Sequence, residues 1–154
     1  MEYTARIVWK RGSSAPFNAK SFDRTHKIYF GRSLSIEASS APEFLGRVDL
    51  PNPEELFTAS ISSCFMLTFL YWAAAEGLVI DEYLDEASGV LAKNEEGKLS
   101  VTEVTLRPHV TFHNHKNPAP DILQALFKKA HENCFISSSV KTKVTVKAKE
   151  LAEV

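Results

Sequence analysis

Cys64 and Cys134 are the only cysteines in this 154-residue chain, and each falls in a stretch that reads as an apolar helix. Cys64 lies near the middle of NPEELFTASISSCFMLTFLYWAAAEG, residues 52–77, and Cys134 closes DILQALFKKAHENC, residues 121–134. A cysteine in such surroundings is usually a small inert core residue. Two of them, one per helix, open a redox route. If the helices bring the sulfurs within bonding reach, Cys134 can attack an oxidised Cys64 and close a disulfide.

Nothing within its own helix activates Cys64. It sits about twelve residues from the helix start, beyond the reach of the free N–H groups there. Burial among apolar side chains disfavours any thiolate. A reactive thiol at this position therefore needs a cation delivered from elsewhere in the fold. Arg24, Arg32 and Arg47, in strand ends and loops upstream, are the candidates. A guanidinium drawn into an apolar pocket needs its own counter-charge, which Glu54 or Glu55 can supply. The arginine would favour the thiolate and the glutamate would hold the arginine.

The elements that must position these groups are legible. Residues 2–9, 24–31 and 34–38 read as strands, the last two joined by a turn at Gly31-Arg32-Ser33. A loop with two prolines and a glycine, residues 39–51, leads to the long helix. Asn52 fits its N-cap, Pro53 its first turn and Glu55 the third position of a capping box, with Gly77 as the terminating residue. Residues 56–75 are apolar on nearly all sides, so such a helix must be covered on all sides. One small sheet covers only one flank, and the other flank needs a second helix, sheet or subunit. Phe57, Phe65, Phe69, Tyr71 and Trp72 are expected in the core. Residues 78–92 give one or two strands, NEEGK a turn, and residues 99–112 a strongly β-prone stretch that can bend at Pro108. The helix of residues 121–134 turns Leu123, Leu126, Phe127, Ala130 and Cys134 to one side and Gln124, Lys128, Lys129 and Glu132 to solvent. Val140 to Lys149 alternates as a final strand with one wet face. The order β-β-β-α-β-β-α-β is α+β, with a mostly antiparallel sheet backed by the long helix.

Other chemistries find little support. His109, His113 and His115 share odd parity and would face one side of an unbroken strand. Pro108 and the loop at 114–118 end the strand there, and no acidic or cysteine partner stands at metal spacing. Surface histidines are expected, and no metal site. His26 stands beside Arg24, but its spacing demands no role. No phosphate loop, serine nucleophile elbow or paired catalytic carboxylates occur. Apolar residues at 44%, charged residues at 24% and a net charge of −1 describe a soluble globular protein without a basic surface for nucleic acid or anionic membrane. The first residues lack a basic segment followed by an apolar run, and the apolar stretch from Cys64 to Ala75 is too short to span a bilayer. A cytoplasmic location is expected, where a disulfide is more often catalytic than structural.

NPEELFTASISSCFMLTFL closely resembles the helix motif of the OsmC/Ohr family of thiol-dependent hydroperoxide reductases. AHENCFISSSV resembles the same family's second cysteine segment, and SFDRTHKIYF its early strand. The resemblance implies a single OsmC-like domain over residues 1–154, α+β, with a mostly antiparallel sheet wrapped on a long buried central helix in an intertwined homodimer. It implies Cys64 as the peroxidatic thiol and Cys134 as the resolving thiol. Glu54 matches the motif glutamate, and Arg24 matches the motif arginine, with Arg47 as runner-up. The implied activity is reduction of organic hydroperoxides or hydrogen peroxide in oxidative-stress defence. The implied reductant is a dithiol such as a lipoylated protein, with no metal or flavin, and the active sites lie at the subunit interface. Phe135 stands where many members carry proline, and Phe65 and Met66 occupy positions that vary between branches.

Ten residues of continuous helix span about 15 Å, so Glu54 cannot touch Cys64 of its own helix. Either Arg24 bridges the two or the glutamate comes from the other subunit. The competing reading is a non-enzymatic small-molecule-binding or redox-sensing stress protein of the same fold.

Overall fold

The computed structural model describes residues 1–12, 15–31 and 33–148. Arg32, one of the candidate cations, and residue 149 of the last expected strand lie outside the described residues. Contacts divide the chain into two compact units, one ending at Leu56 and the other beginning at Phe57.

The first unit is a three-stranded antiparallel meander of β1 (Ala5–Val8), β2 (His26–Phe30) and β3 (Leu34–Ala38). Successive side chains of a strand point to opposite faces. The register therefore puts Ala5, Phe30 and Leu34 beside Ile7, Ile28 and Ile36 on one apolar face. The other face carries Arg6, whose guanidinium lies 4.2 Å from the Tyr29 ring centroid. A 3-10 turn at Pro42–Phe44 folds the following loop back so closely that a side chain on Gly46 would strike the Ser40 carbonyl.

Helix α1 (Pro53–Ala75) starts and stops where its sequence signals stand. The Asn52 side chain accepts from the Glu55 amide at 2.9 Å, and the Glu55 carboxylate accepts from the Asn52 amide at 3.0 Å, a complete capping box. At the far end Gly77 adopts φ 74°, and the Leu78 amide reaches back to the Ala73 carbonyl at 3.0 Å. This left-handed close suits glycine and satisfies carbonyls that the helix end would otherwise leave open.

In the second unit α1 buries the stripe Ile61, Phe65, Phe69 and Ala73, spaced four residues apart. Its opposite side carries Leu67 and Tyr71, 60% and 66% exposed. The helix expected to be buried all round is thus covered along one stripe within the single chain. With 23 residues it also reaches bilayer-spanning length by length and composition, unlike the shorter stretch read from the sequence.

Among the described residues five further strands, joined in three pairings, complete the unit. The β-prone stretch breaks at Arg107 into β6 (Leu99–Leu106) and β7 (Pro108–Phe112), which join different sheets. β7 pairs antiparallel with β4 (Ile80–Asp85), and β6 pairs antiparallel with β5 (Ser88–Lys93). β8 (Lys143–Val146) adds to β6 in parallel, the one parallel pair among the described strands, and is shorter than the sequence pattern suggests. Helix α2 (Pro120–Asn133) buries Leu123, Leu126, Phe127 and Ala130, the face read from its periodicity. Its Lys129 is drawn from solvent onto Trp72, 3.7 Å from the ring centroid.

Aromatic contacts join the two long helices. Phe127 of α2 stacks on Phe65 and Phe69 of α1 at centroid distances of 6.3 Å and 4.7 Å. Phe65 and Phe69 are fully buried, and truncating such a ring to alanine costs about 3–5 kcal/mol. This lock fixes α2 against the middle of α1, and Cys64 is the residue next to Phe65.

Candidate active site

Both thiols belong to the second unit, and the packing just described brings them together. Cys64 is partly buried on α1, its carbonyl capped by the Thr68 hydroxyl at 2.8 Å. Cys134 is not the last helical residue of α2 but the junction after it, with φ −74° and ψ 111°. It also begins a four-residue helix, α3 (Phe135–Ser138), which the sequence reading missed.

The turn of α3 serves both sulfurs. The Ile136 amide donates to Cys64 Sγ at 3.5 Å, and the Ser137 hydroxyl donates to Cys134 Sγ at 3.1 Å. Burial pushes the Cys134 thiol up from its ordinary value, and the Ser137 hydroxyl and amide pull the other way. Cys64 adds to the upward push, both as a hydrogen-bond neighbour and through charge repulsion. A negative charge on Cys64 would thus disfavour ionisation of Cys134. Both cysteines are free thiols in this structure.

A polar tie that the sequence did not reveal steadies α1 near Cys64. Asp85, at the end of β4, accepts from the Ser62 hydroxyl at 2.5 Å and from the Arg107 amide at 2.6 Å. The Arg107 guanidinium in turn donates to the Ser88 hydroxyl at 2.8 Å and the Glu86 carbonyl at 3.2 Å. One carboxylate thus fastens the helix two residues before Cys64 to the break between β6 and β7.

The remaining candidates lie in the first unit. Arg24 donates to the carbonyls of Phe22 and Ala19 at 2.8 Å and 2.9 Å, and its guanidinium lies 4.1 Å from the Phe22 ring centroid. Main-chain carbonyls orient a guanidinium without neutralising it. Arg47, the runner-up, is instead forked onto Asp49 at 3.0 Å and 2.5 Å, and the pair is exposed. The Asp49 hydrogen bonds hold the Arg47 guanidinium above its ordinary value. Of the two, Arg24 is the one whose charge is not already paired with this carboxylate. His26 donates from Nδ1 to the Arg24 carbonyl at 2.9 Å and so holds the residue's backbone. Glu54 sits partly buried in the first turn of α1, and Glu55 is taken up in the helix cap.

Of the histidines, His113 is exposed and pairs with Asp81 at 3.1 Å, while His109 is partly buried in β7. Among the described residues no group of three His, Cys, Asp or Glu is placed to hold a metal ion.

The structure is thus an α+β fold with adjoining thiols from α1 and the α2–α3 junction. Residues 46–149 match the family model described as OsmC-like protein, and the chain belongs to that family. Its structure is similar to an OsmC-like protein of unknown function from Vibrio cholerae, 39% identical, with a TM-score of 0.90 over 96% of this chain and 99% of that one. The same fold occurs in the organic hydroperoxide resistance protein OhrB of Bacillus subtilis, 23% identical, TM-score 0.66, covering 96% of this chain and 98% of that one. It occurs again in an organic hydroperoxide resistance protein OsmC from Legionella pneumophila, 22% identical, TM-score 0.65, covering 95% of each chain. Comparison with curated proteins gives no match.

Proposed function

We propose that this protein is a cytoplasmic thiol peroxidase that reduces hydroperoxides, organic ones foremost, through Cys64 and Cys134. The observation that carries the reading is the meeting of the two thiols around α3, with a hydrogen-bond donor on each sulfur. The shared fold with organic hydroperoxide resistance proteins supports it. In the cycle, the Cys64 thiolate attacks the distal peroxide oxygen, the O–O bond breaks, and the alcohol leaves after taking a proton. The resulting sulfenic acid condenses with Cys134, losing water and forming the Cys64–Cys134 disulfide. A dithiol such as a lipoylated protein restores both thiols. Arg24 supplies the cation and Glu54 its counter-charge, the roles the family resemblance gives them.

The exposed apolar flank of α1, led by Leu67 and Tyr71, supports a homodimer, because an apolar helix face of this kind is ordinarily covered. The test is a thiol count. Reduced protein mixed with one equivalent of cumene hydroperoxide loses two thiols, and in Cys134→Ser, with peroxide in several-fold excess, the Cys64 sulfur proceeds through sulfenic to sulfinic or sulfonic acid. No thiol loss over an hour refutes the peroxidase and favours a binding protein of the same fold. Turnover with a dithiol separates an enzyme from a sensor that reacts once.

A further inference from the structure

The two sulfurs differ in what can reach them. Cys134 is fully buried, with 0% of its surface exposed, whereas Cys64 keeps part of its surface open. Reduction of a disulfide between them requires an external thiolate to approach one sulfur and expel the other. Leaving-group acidity and access point in opposite directions here. Burial raises the Cys134 thiol, which makes it the poorer leaving group, and a thiolate choosing by acidity alone would attack Cys134. That attack needs the chain around α3 to open first, because Cys134 has no accessible surface. Access therefore decides the matter. The Ser137 hydroxyl, 3.1 Å from Cys134 Sγ, is already placed to receive a thiolate that departs there.

We infer that the reducing dithiol attacks the Cys64 sulfur alone, so that Cys134 is always the leaving thiol and never carries the mixed disulfide. The inference rests on the peroxidase reading only in needing the Cys64–Cys134 disulfide to form. In the first step a bond forms between the reductant sulfur and Cys64 Sγ and the Cys64–Cys134 bond breaks. The electron pair departs with Cys134, which takes up one proton. In the second step the reductant's other thiol attacks its own sulfur in the mixed disulfide, expels Cys64 as thiolate and closes a disulfide within the reductant. The reductant loses two electrons and the protein gains them. Cys64 is thus the point of contact for both substrates, peroxide and dithiol, in alternate halves of the cycle.

The experiment forms the disulfide with diamide, which bypasses peroxide chemistry. A short pulse of glutathione, an acid quench and peptide mass spectrometry then locate the mixed disulfide. It is expected on Cys64, and glutathione on Cys134 overturns the inference. A second measurement compares 5,5′-dithiobis(2-nitrobenzoate) labelling of reduced Cys134→Ser and Cys64→Ser. The lone Cys64 is expected to react at least about tenfold faster than the lone Cys134, as access and thiolate character together require. Equal or reversed rates overturn the inference, as does failure of diamide to form the disulfide. If diamide closes the disulfide and cumene hydroperoxide does not, the peroxidase reading falls while the site of attack is still decided by the glutathione pulse.

Discussion

Removing Cys134 should change how the stability of the reduced protein depends on pH, and the structure fixes the sign. The Cys134 thiol is held above its ordinary value of 9.0, first by burial. The native state therefore keeps a proton that the unfolded state gives up as pH rises through about 9. The unfolded chain then binds fewer protons than the native one, so stability falls with increasing pH. The loss between about pH 8 and about pH 10 is at most on the order of 1 kcal/mol, the worth of about one pKa unit. In a chain of this size that is a fall in melting temperature of at most about 2–4 °C. Other groups titrate in the same range, so the comparison uses Cys64→Ser against Cys64→Ser/Cys134→Ser, both reduced, with urea or thermal melts at each pH. Lysines and tyrosines contribute equally to both proteins and cancel. The first protein should lose more stability than the second. An equal slope, or a steeper loss in the double variant, would show that Cys134 is not a buried, protonated thiol.

Two smaller perturbations probe the scaffold. Asn52→Ala deletes the acceptor of the 2.9 Å bond from the Glu55 amide and should cost about 1 kcal/mol, read as a melting temperature about 2–4 °C lower with catalytic parameters little changed. Leu67→Glu places a charge on a residue that is 60% exposed in the single chain. It should leave the fold intact by circular dichroism and, if the proposed homodimer forms through this flank, give a monomer by light scattering where the unmodified protein is dimeric; a persistent dimer would remove that flank of α1 from the interface.

Much of the architecture was legible because its determinants are local. Asn52, Pro53, Glu55 and Gly77 bracket α1 through hydrogen bonds that span only a few residues. The face of α2 follows from its own periodicity. The partition of the strands was not legible, because it depends on partners distant in the chain. The break at Arg107 is one example. The sequence shows only a proline, whereas the structure shows Asp85, twenty-two residues upstream, accepting the Arg107 amide. The parallel addition of β8 to β6 is another, since alternation of valine and lysine reads the same for either strand direction.

The same division runs through the site. Helical spacing could propose Cys64 and Cys134 as a pair, but spacing cannot say which sulfur solvent reaches. Cys134 lies within the hydrophobic core and Cys64 only against it, and the turn that follows Cys134, α3, is too short to announce itself by periodicity. Its four residues place the Ile136 amide on one sulfur and the Ser137 hydroxyl on the other. In the proposed cycle the buried thiol need not react with bulk solvent: it would meet only a sulfenic acid held beside it, where proximity replaces intrinsic reactivity. The partly exposed Cys64 would meet what arrives from outside. In the proposed cycle, burial of one sulfur and partial exposure of the other would divide the labour, and this difference in exposure depends on tertiary packing that the spacing of the two cysteines does not encode.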